Sequence, residues 1–138
     1  MSTTVLLSVK PQFAEAILVG AKKFEFRRAV FRDPDVQRVV LYASSPVQRV
    51  VGEFTIQEIV HMDLKRLWEH TESDAGIEKE YFDEYFAGRD LGYAVAVGET
   101  RRYPEPLALD RHFGIQHPPQ SFRYLSDSAD ENGVTALQ

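Results

Sequence analysis

From Lys23 to Arg27 the chain alternates strictly: charge, ring, charge, ring, charge. Only a β-strand, whose successive side chains leave opposite faces, can sort such a run. The pattern predicts a half-buried strand over Lys23–Arg28. Phe24 and Phe26 should face the core, with Lys23, Glu25 and Arg27 as a polar row on the other side. A strand needs partners, and other runs supply them. Val5–Val9 reads as a buried strand. Val39–Ala43 reads as another, stopped by Ser44-Ser45-Pro46. Arg49 to about Val60 reads as a long strand with Gly52 as a bulge or bend. Leu91–Val97 alternates, Thr100–Tyr103 extends it, and Gln120–Leu125 is a last short element.

Helices fall between these strands. Pro11 can open one, because a helix needs no N–H at its first position. Phe13, Ala14, Ile17 and Leu18 follow at helical spacing, and Gly20 closes the turn. Asp63 is placed to cap Leu64–His70. After a break at Gly76-Ile77, Glu78–Phe86 sets Tyr81, Phe82, Tyr85 and Phe86 on one face, read as helical core joined by Trp68. Asp33-Pro34-Asp35 marks a loop, and Pro104, Pro106, Pro118 and Pro119 should keep their stretch irregular. Strands first and last with helices inserted predict an α+β barrel in one domain, residues 1–125. The acidic tail 126–138 is expected to be disordered.

Composition narrows the function classes. Apolar residues make up 43% of 138, enough for one core. With no Cys, disulfides and thiolate metal sites are excluded. His61, His70, His112 and His117 lack metal-ligand spacing, so no metal and no cofactor is expected. No apolar run reaches the roughly 20 residues that span a bilayer. Met1-Ser2-Thr3-Thr4 does not open a signal peptide, so the expectation is cytoplasmic, with no membrane partner. The net charge of −5 argues against indiscriminate nucleic-acid binding. It is unevenly spread: +2 over 1–62, −5 over 63–90, +1 over 91–125 and −3 over 126–138. An anionic ligand should therefore meet the first segment, away from the acidic middle.

Gly20-Ala21-Lys22-Lys23-Phe24-Glu25-Phe26-Arg27 fits G-x-K-x-x-E-x-R. That signature resembles the ASCH (activating signal cointegrator homology) domain family. Leu7-Ser8-Val9-Lys10-Pro11, Tyr42-Ala43-Ser44-Ser45-Pro46, Val51-Gly52-Glu53-Phe54 and Pro119-Gln120-Ser121-Phe122-Arg123-Tyr124-Leu125 are similar to small prokaryotic members, in the same order. The resemblance covers residues 5–125. It implies a PUA-like mixed β-barrel with inserted helices, a cleft beside the first helix, and RNA as partner. Some small members resemble amidohydrolases of an N4-acylated cytidine nucleoside. Those carry Thr where this chain has Glu25, so a candidate hydroxyl nucleophile is absent here.

The residues suit such a cleft. Lys22 follows the helix-closing Gly20 and should reach toward the cleft mouth as a point charge for phosphate. Arg27 is a planar fork, and Arg28 adds a second guanidinium. Glu25 could hold Arg27, accept from a base amine, or act as a base. Ser44 and Ser45 offer hydroxyls. Tyr42 or Tyr124 could stack on a base. Lys10 stands at the helix N-terminus, where anions are favoured. Each has a plainer reading: Glu25–Arg27 as a structural ion pair, Lys22 as a solvated turn residue, Ser44-Ser45 as an ordinary turn, the tyrosines as core. Three functions follow. The first is a module binding RNA, single-stranded nucleic acid or a modified nucleotide through Lys10, Lys22, Glu25, Arg27, Arg28, Ser44, Ser45 and Tyr124. The second is a hydrolase of RNA or of an acylated nucleoside, with Lys22 and Glu25 catalytic. The third is a protein adaptor using 63–90, which requires its aromatic cluster to be exposed.

Overall fold

The computed structural model describes residues 3–125, so the tail expectation for 126–138 lies outside the described residues. The chain runs β1 (Thr3–Val9), α1 (Pro11–Leu18), β2 (Phe24–Arg27), β3 (Val36–Ala43), β4 (Arg49–Asp63), α2 (Leu64–Thr71), a 3₁₀ turn (Glu72–Asp74), α3 (Lys79–Tyr85), β5 (Leu91–Leu107), α4 (Leu109–Phe113) and β6 (Phe122–Leu125). The punctuation acts as its chemistry dictates. Pro11 opens α1. The Asp63 carboxylate accepts from the Arg66 N–H and caps α2. Gly20 and Gly76 take positive φ where the chain reverses.

The six strands form one sheet in the order β2-β5-β4-β3-β1-β6. β1 and β3 are parallel, and every other pairing is antiparallel. The expected barrel is corrected: the sheet is not closed. β2 and β6 are both edges, each four residues long. Among the described residues β2 pairs only with β5, and β6 only with β1. The chain leaves β2 at Arg27, before the strand can reach a second neighbour. A second correction concerns Pro104 and Pro106, which lie inside β5. The ladder jumps from Arg102 opposite Gly52 to Leu107 opposite Val50, and both prolines fall in that unpaired stretch. A proline is tolerated where no ladder N–H is required. The shift beside Gly52 is the bulge expected there.

Three apolar clusters follow from strand parity. Val5, Leu7 and Val9 join α1, Leu41, Phe54 and Val95 on one face of the sheet. Leu6 points the other way, with Val40, Tyr42, Tyr103 and Phe113. Both faces of β1 are therefore covered, which is why its sequence is a continuous apolar run. Tyr42 is core here, not an exposed ring. In the third cluster α2 and α3 cover Phe26, Val60 and Ala94 with Leu67, Phe82 and Phe86. Phe82 meets Phe26 edge-on at 5.3 Å and Trp68 at 5.0 Å. The aromatic cluster of 63–90 thus packs inward, and the condition for the adaptor reading fails. Phe82→Ala should cost about 3–5 kcal/mol, the usual loss for truncating a buried ring. Urea unfolding at constant slope checks it.

Candidate functional site

Where β2 faces the end of β1, the open side of the sheet leaves a cavity of about 390 Å³. It is framed by the start of α1, by α3, and by the segment entering β6. Of the residues singled out from sequence, Lys10, Lys22, Glu25, Arg27 and Arg28 line it. Ser44, Ser45 and Tyr124 do not. The Tyr124 hydroxyl instead accepts from the Arg32 and Asp33 N–H groups, at 3.0 and 3.2 Å.

Arg27 spans the gap between the two edges. Its guanidinium donates to Glu25 Oε2 at 3.0 Å, to the Ser8 carbonyl at 3.4 Å and to Ser121 Oγ at 2.7 Å. One side chain therefore joins β2, β1 and the segment before β6. Glu25 is buried and Arg27 nearly so, with side chains 6% and 11% exposed. The polar row read from the alternation divides: Glu25 and Arg27 line the cleft, as the motif implies, while Lys23 is exposed outside it. The Ser8 hydroxyl donates to the Pro119 carbonyl at 2.7 Å and holds the same segment.

Lys22 departs furthest from expectation. The motif directs it to the cleft mouth, yet it is 1% exposed. Its N–H is bound by the Ala16 carbonyl, which turns the side chain inward after α1. Nζ donates to the Ala75 carbonyl at 2.9 Å. It sits 5.1 Å from the Phe13 ring and 4.8 Å from the Phe26 ring. Burial drives the amine down to about 8, and the Glu25 charge partly offsets this. Gly76 holds the lysine in place: a Cβ there would lie 2.5 Å from Lys22 Cβ and 2.6 Å from Cγ.

The other cations rest on aromatic rings. Lys10 Nζ lies 5.1 Å from the Tyr81 centroid. Arg28 stacks at 4.3 Å over Tyr85, and its Nε donates to the Tyr85 carbonyl at 2.9 Å. Burial raises the Tyr85 phenol, so it stays a neutral donor. Arg89, from the acidic middle segment, also lines the cavity. With Tyr81 and Tyr85 of α3 forming one wall, the cavity is not confined to the first segment of the chain. Sequence reasoning missed Tyr81, Tyr85, Arg89, Ser8 and Ser121. A signal for the tyrosines was present. On a helix face with Tyr at i, i+4 beside Phe at i, i+4, the rings with polar tips belong at the wet side. Counting the lining charges, five cations (Lys10, Lys22, Arg27, Arg28, Arg89) face one carboxylate, Glu25. Among the described residues no three His, Asp or Glu side chains converge as metal ligands.

An open six-stranded sheet with inserted helices and a cation-rich, ring-lined cleft beside the first helix defines a class of small α+β domain. The family model for the ASCH domain matches residues 7–100, and the chain belongs to that family. It is 31% identical over 123 residues to an ASCH domain-containing ribonuclease of Zymomonas mobilis, covering 87% of this chain and 82% of that one. The crystal structure of ASCH from Zymomonas mobilis superposes with a TM-score of 0.88 at 27% identity, over 97% of this chain and 94% of that one. A stretch of large ribosomal subunit protein uL22 from Ureaplasma parvum is 25% identical, spanning 88% of this chain but 39% of that protein.

Two outcomes follow from the Lys22 geometry. Its folded pKa lies below the unfolded value of about 10.4, so between them the unfolded chain binds more protons. Stability relative to Lys22→Met should rise by about 2.5 kcal/mol from pH 8 to pH 10.5, read by urea unfolding across that range. Gly76→Ala should destabilise by more than 1 kcal/mol, because it adds a clash to a positive φ. It should also move the Lys22 amine resonance in a lysine-labelled NMR spectrum.

Proposed function

We propose that this chain binds single-stranded RNA, with phosphates on Lys10, Arg28 and Arg89 and a base against Tyr81 and Tyr85. The observation that carries this reading is the interleaving of cation and ring along one cleft. Such interleaving supports strand binding because cations meet the backbone and ring faces meet bases of any sequence. Arg27 and Glu25 supply a fixed donor and acceptor pair at the floor. Ser44, Ser45 and Tyr124, away from the cavity, contribute no contact. The kinship with a protein named a ribonuclease supports RNA over other polyanions.

A second reading rests on Lys22. An amine brought down to about 8 beside a buried carboxylate suits proton transfer near neutral pH. In this reading the RNA 2′-hydroxyl attacks phosphorus as the bond to the 5′ oxygen breaks. Glu25 accepts the hydroxyl proton, and the Lys22 ammonium gives one to the departing oxygen. The products are a 2′,3′-cyclic phosphate and a free 5′-hydroxyl.

Fluorescence anisotropy with a short single-stranded RNA, over a range of salt, tests binding. Affinity should fall as salt rises, with a slope of about −0.7 per phosphate contacted. Arg28→Ala and Arg89→Ala should each flatten that slope by about 0.7. Salt-independent binding, or none, would sink the reading. Incubating the same RNA tests cleavage. It should stop on Lys22→Met, and on a strand carrying 2′-deoxyribose at the scissile nucleotide. Cleavage of that deoxy strand would overturn the proton-transfer scheme.

A further inference from the structure

The sheet carries a second aromatic feature beside the cleft. Across the ladder, Arg27 of β2 is opposite Tyr93 of β5, and Tyr93 is opposite His61 of β4. Directly opposed residues in antiparallel strands share a face, so Arg27, Tyr93 and His61 form one row. His61 and Tyr93 lie ring on ring, with centroids 4.0 Å apart and planes within 8°. His61 is exposed and Tyr93 half-buried, so the outer face of the imidazole is open to solvent. Two positions away on the same face stand Ile59 and Leu91, 38% and 49% exposed. Asp63, the α2 cap, lies opposite Leu91 at the far end of this face, so its apolar part is Ile59 and the ring pair with Leu91 at the margin; exposed apolar side chains grouped in a patch in this way mark contact sites.

We infer that His61 and Tyr93 form a second stacking subsite, which takes a base of the same RNA strand as it leaves the cleft past Arg27. The inference rests on the RNA reading above. Three observations favour a nucleobase over a protein surface as occupant. The patch continues from the cationic cleft through a single cross-strand row. Its centre is a planar, half-polar ring pair, where a protein-docking surface would present a bulky apolar ridge. Its width is that of two neighbouring strands, which suits one base on one ring pair.

The test compares binding of a dinucleotide and a hexanucleotide RNA to the wild type, His61→Ala and His61→Phe. His61→Ala should leave dinucleotide affinity unchanged and weaken the hexanucleotide by about 5- to 150-fold, the range for losing one stacked base. His61→Phe should restore it, because a ring and not a charge is required. Equal hexanucleotide affinity in all three proteins overturns the subsite while leaving the cleft reading intact. Wild-type protein that binds neither RNA removes both. Analytical ultracentrifugation of wild type and His61→Ala completes the test. A dimer lost in the variant would assign the patch to a second copy of this chain, and would also overturn the inference.

Discussion

The Arg27 guanidinium is the contact on which the site depends. An open sheet leaves two edges whose N–H and C=O groups need partners. Here the β2 edge stands across from the ends of β1 and β6, too far for a ladder. A planar fork with several donors can serve a carboxylate, a carbonyl and a hydroxyl at once, and Arg27 does so. Lysine, with one tetrahedral head, could not reach three acceptors in one plane. The same contacts take Glu25 out of solvent with its charge matched. A buried carboxylate left without its partner would be strongly unfavourable. Arg27 thus closes the fold by side chain where backbone pairing stops, and the space it leaves beside it is the cleft.

Lys22 is held by a different balance. Two rings and one carbonyl replace water around its ammonium, which is poorer solvation than bulk. Cation–ring attraction and the Glu25 charge recover part of the loss, and the amine accordingly titrates lower. A residue under such strain is commonly tied to function, because burial without use would favour an apolar side chain of similar volume. Gly76 shows that the surrounding loop is fitted to this lysine, since no side chain larger than hydrogen is accommodated against it.

Much of this was legible from residue order. The alternation at Lys23–Arg27, the Asp63 cap, the Pro11 start and the Gly52 bulge are local signals, and the elements formed where those signals lie. The motif also grouped Lys22, Glu25 and Arg27 around one cavity. What residue order did not show depends on distant contacts. Whether a polar row faces water or a cleft is decided by Ser8 and Ser121, far away in sequence. Lys22 reads as a turn residue until Ala75 and Phe26 enclose it. Pro104 and Pro106 read as irregular because a proline cannot signal that its ladder partner is absent. Tyr124 and Ser44-Ser45 carry suitable groups, but they lie outside the cavity lining.

Charge then decides how such a cleft can be used. The whole chain carries −5, while the cleft gathers five cations around one carboxylate. Beyond about 8 Å at physiological salt, either field is largely screened. A polyanion approaching from afar therefore meets no attraction to steer it, and association gains little from diffusion-limited capture. Attraction begins only when a phosphate enters the cavity, among rings that lower the local dielectric. On the proposed reading a long, stiff duplex is disfavoured, because it can bring few of its phosphates into a cavity of about 390 Å³. A flexible single strand can thread one or two nucleotides in and keep the rest away. On that reading, selectivity for a single strand comes from the confinement of the basic cleft.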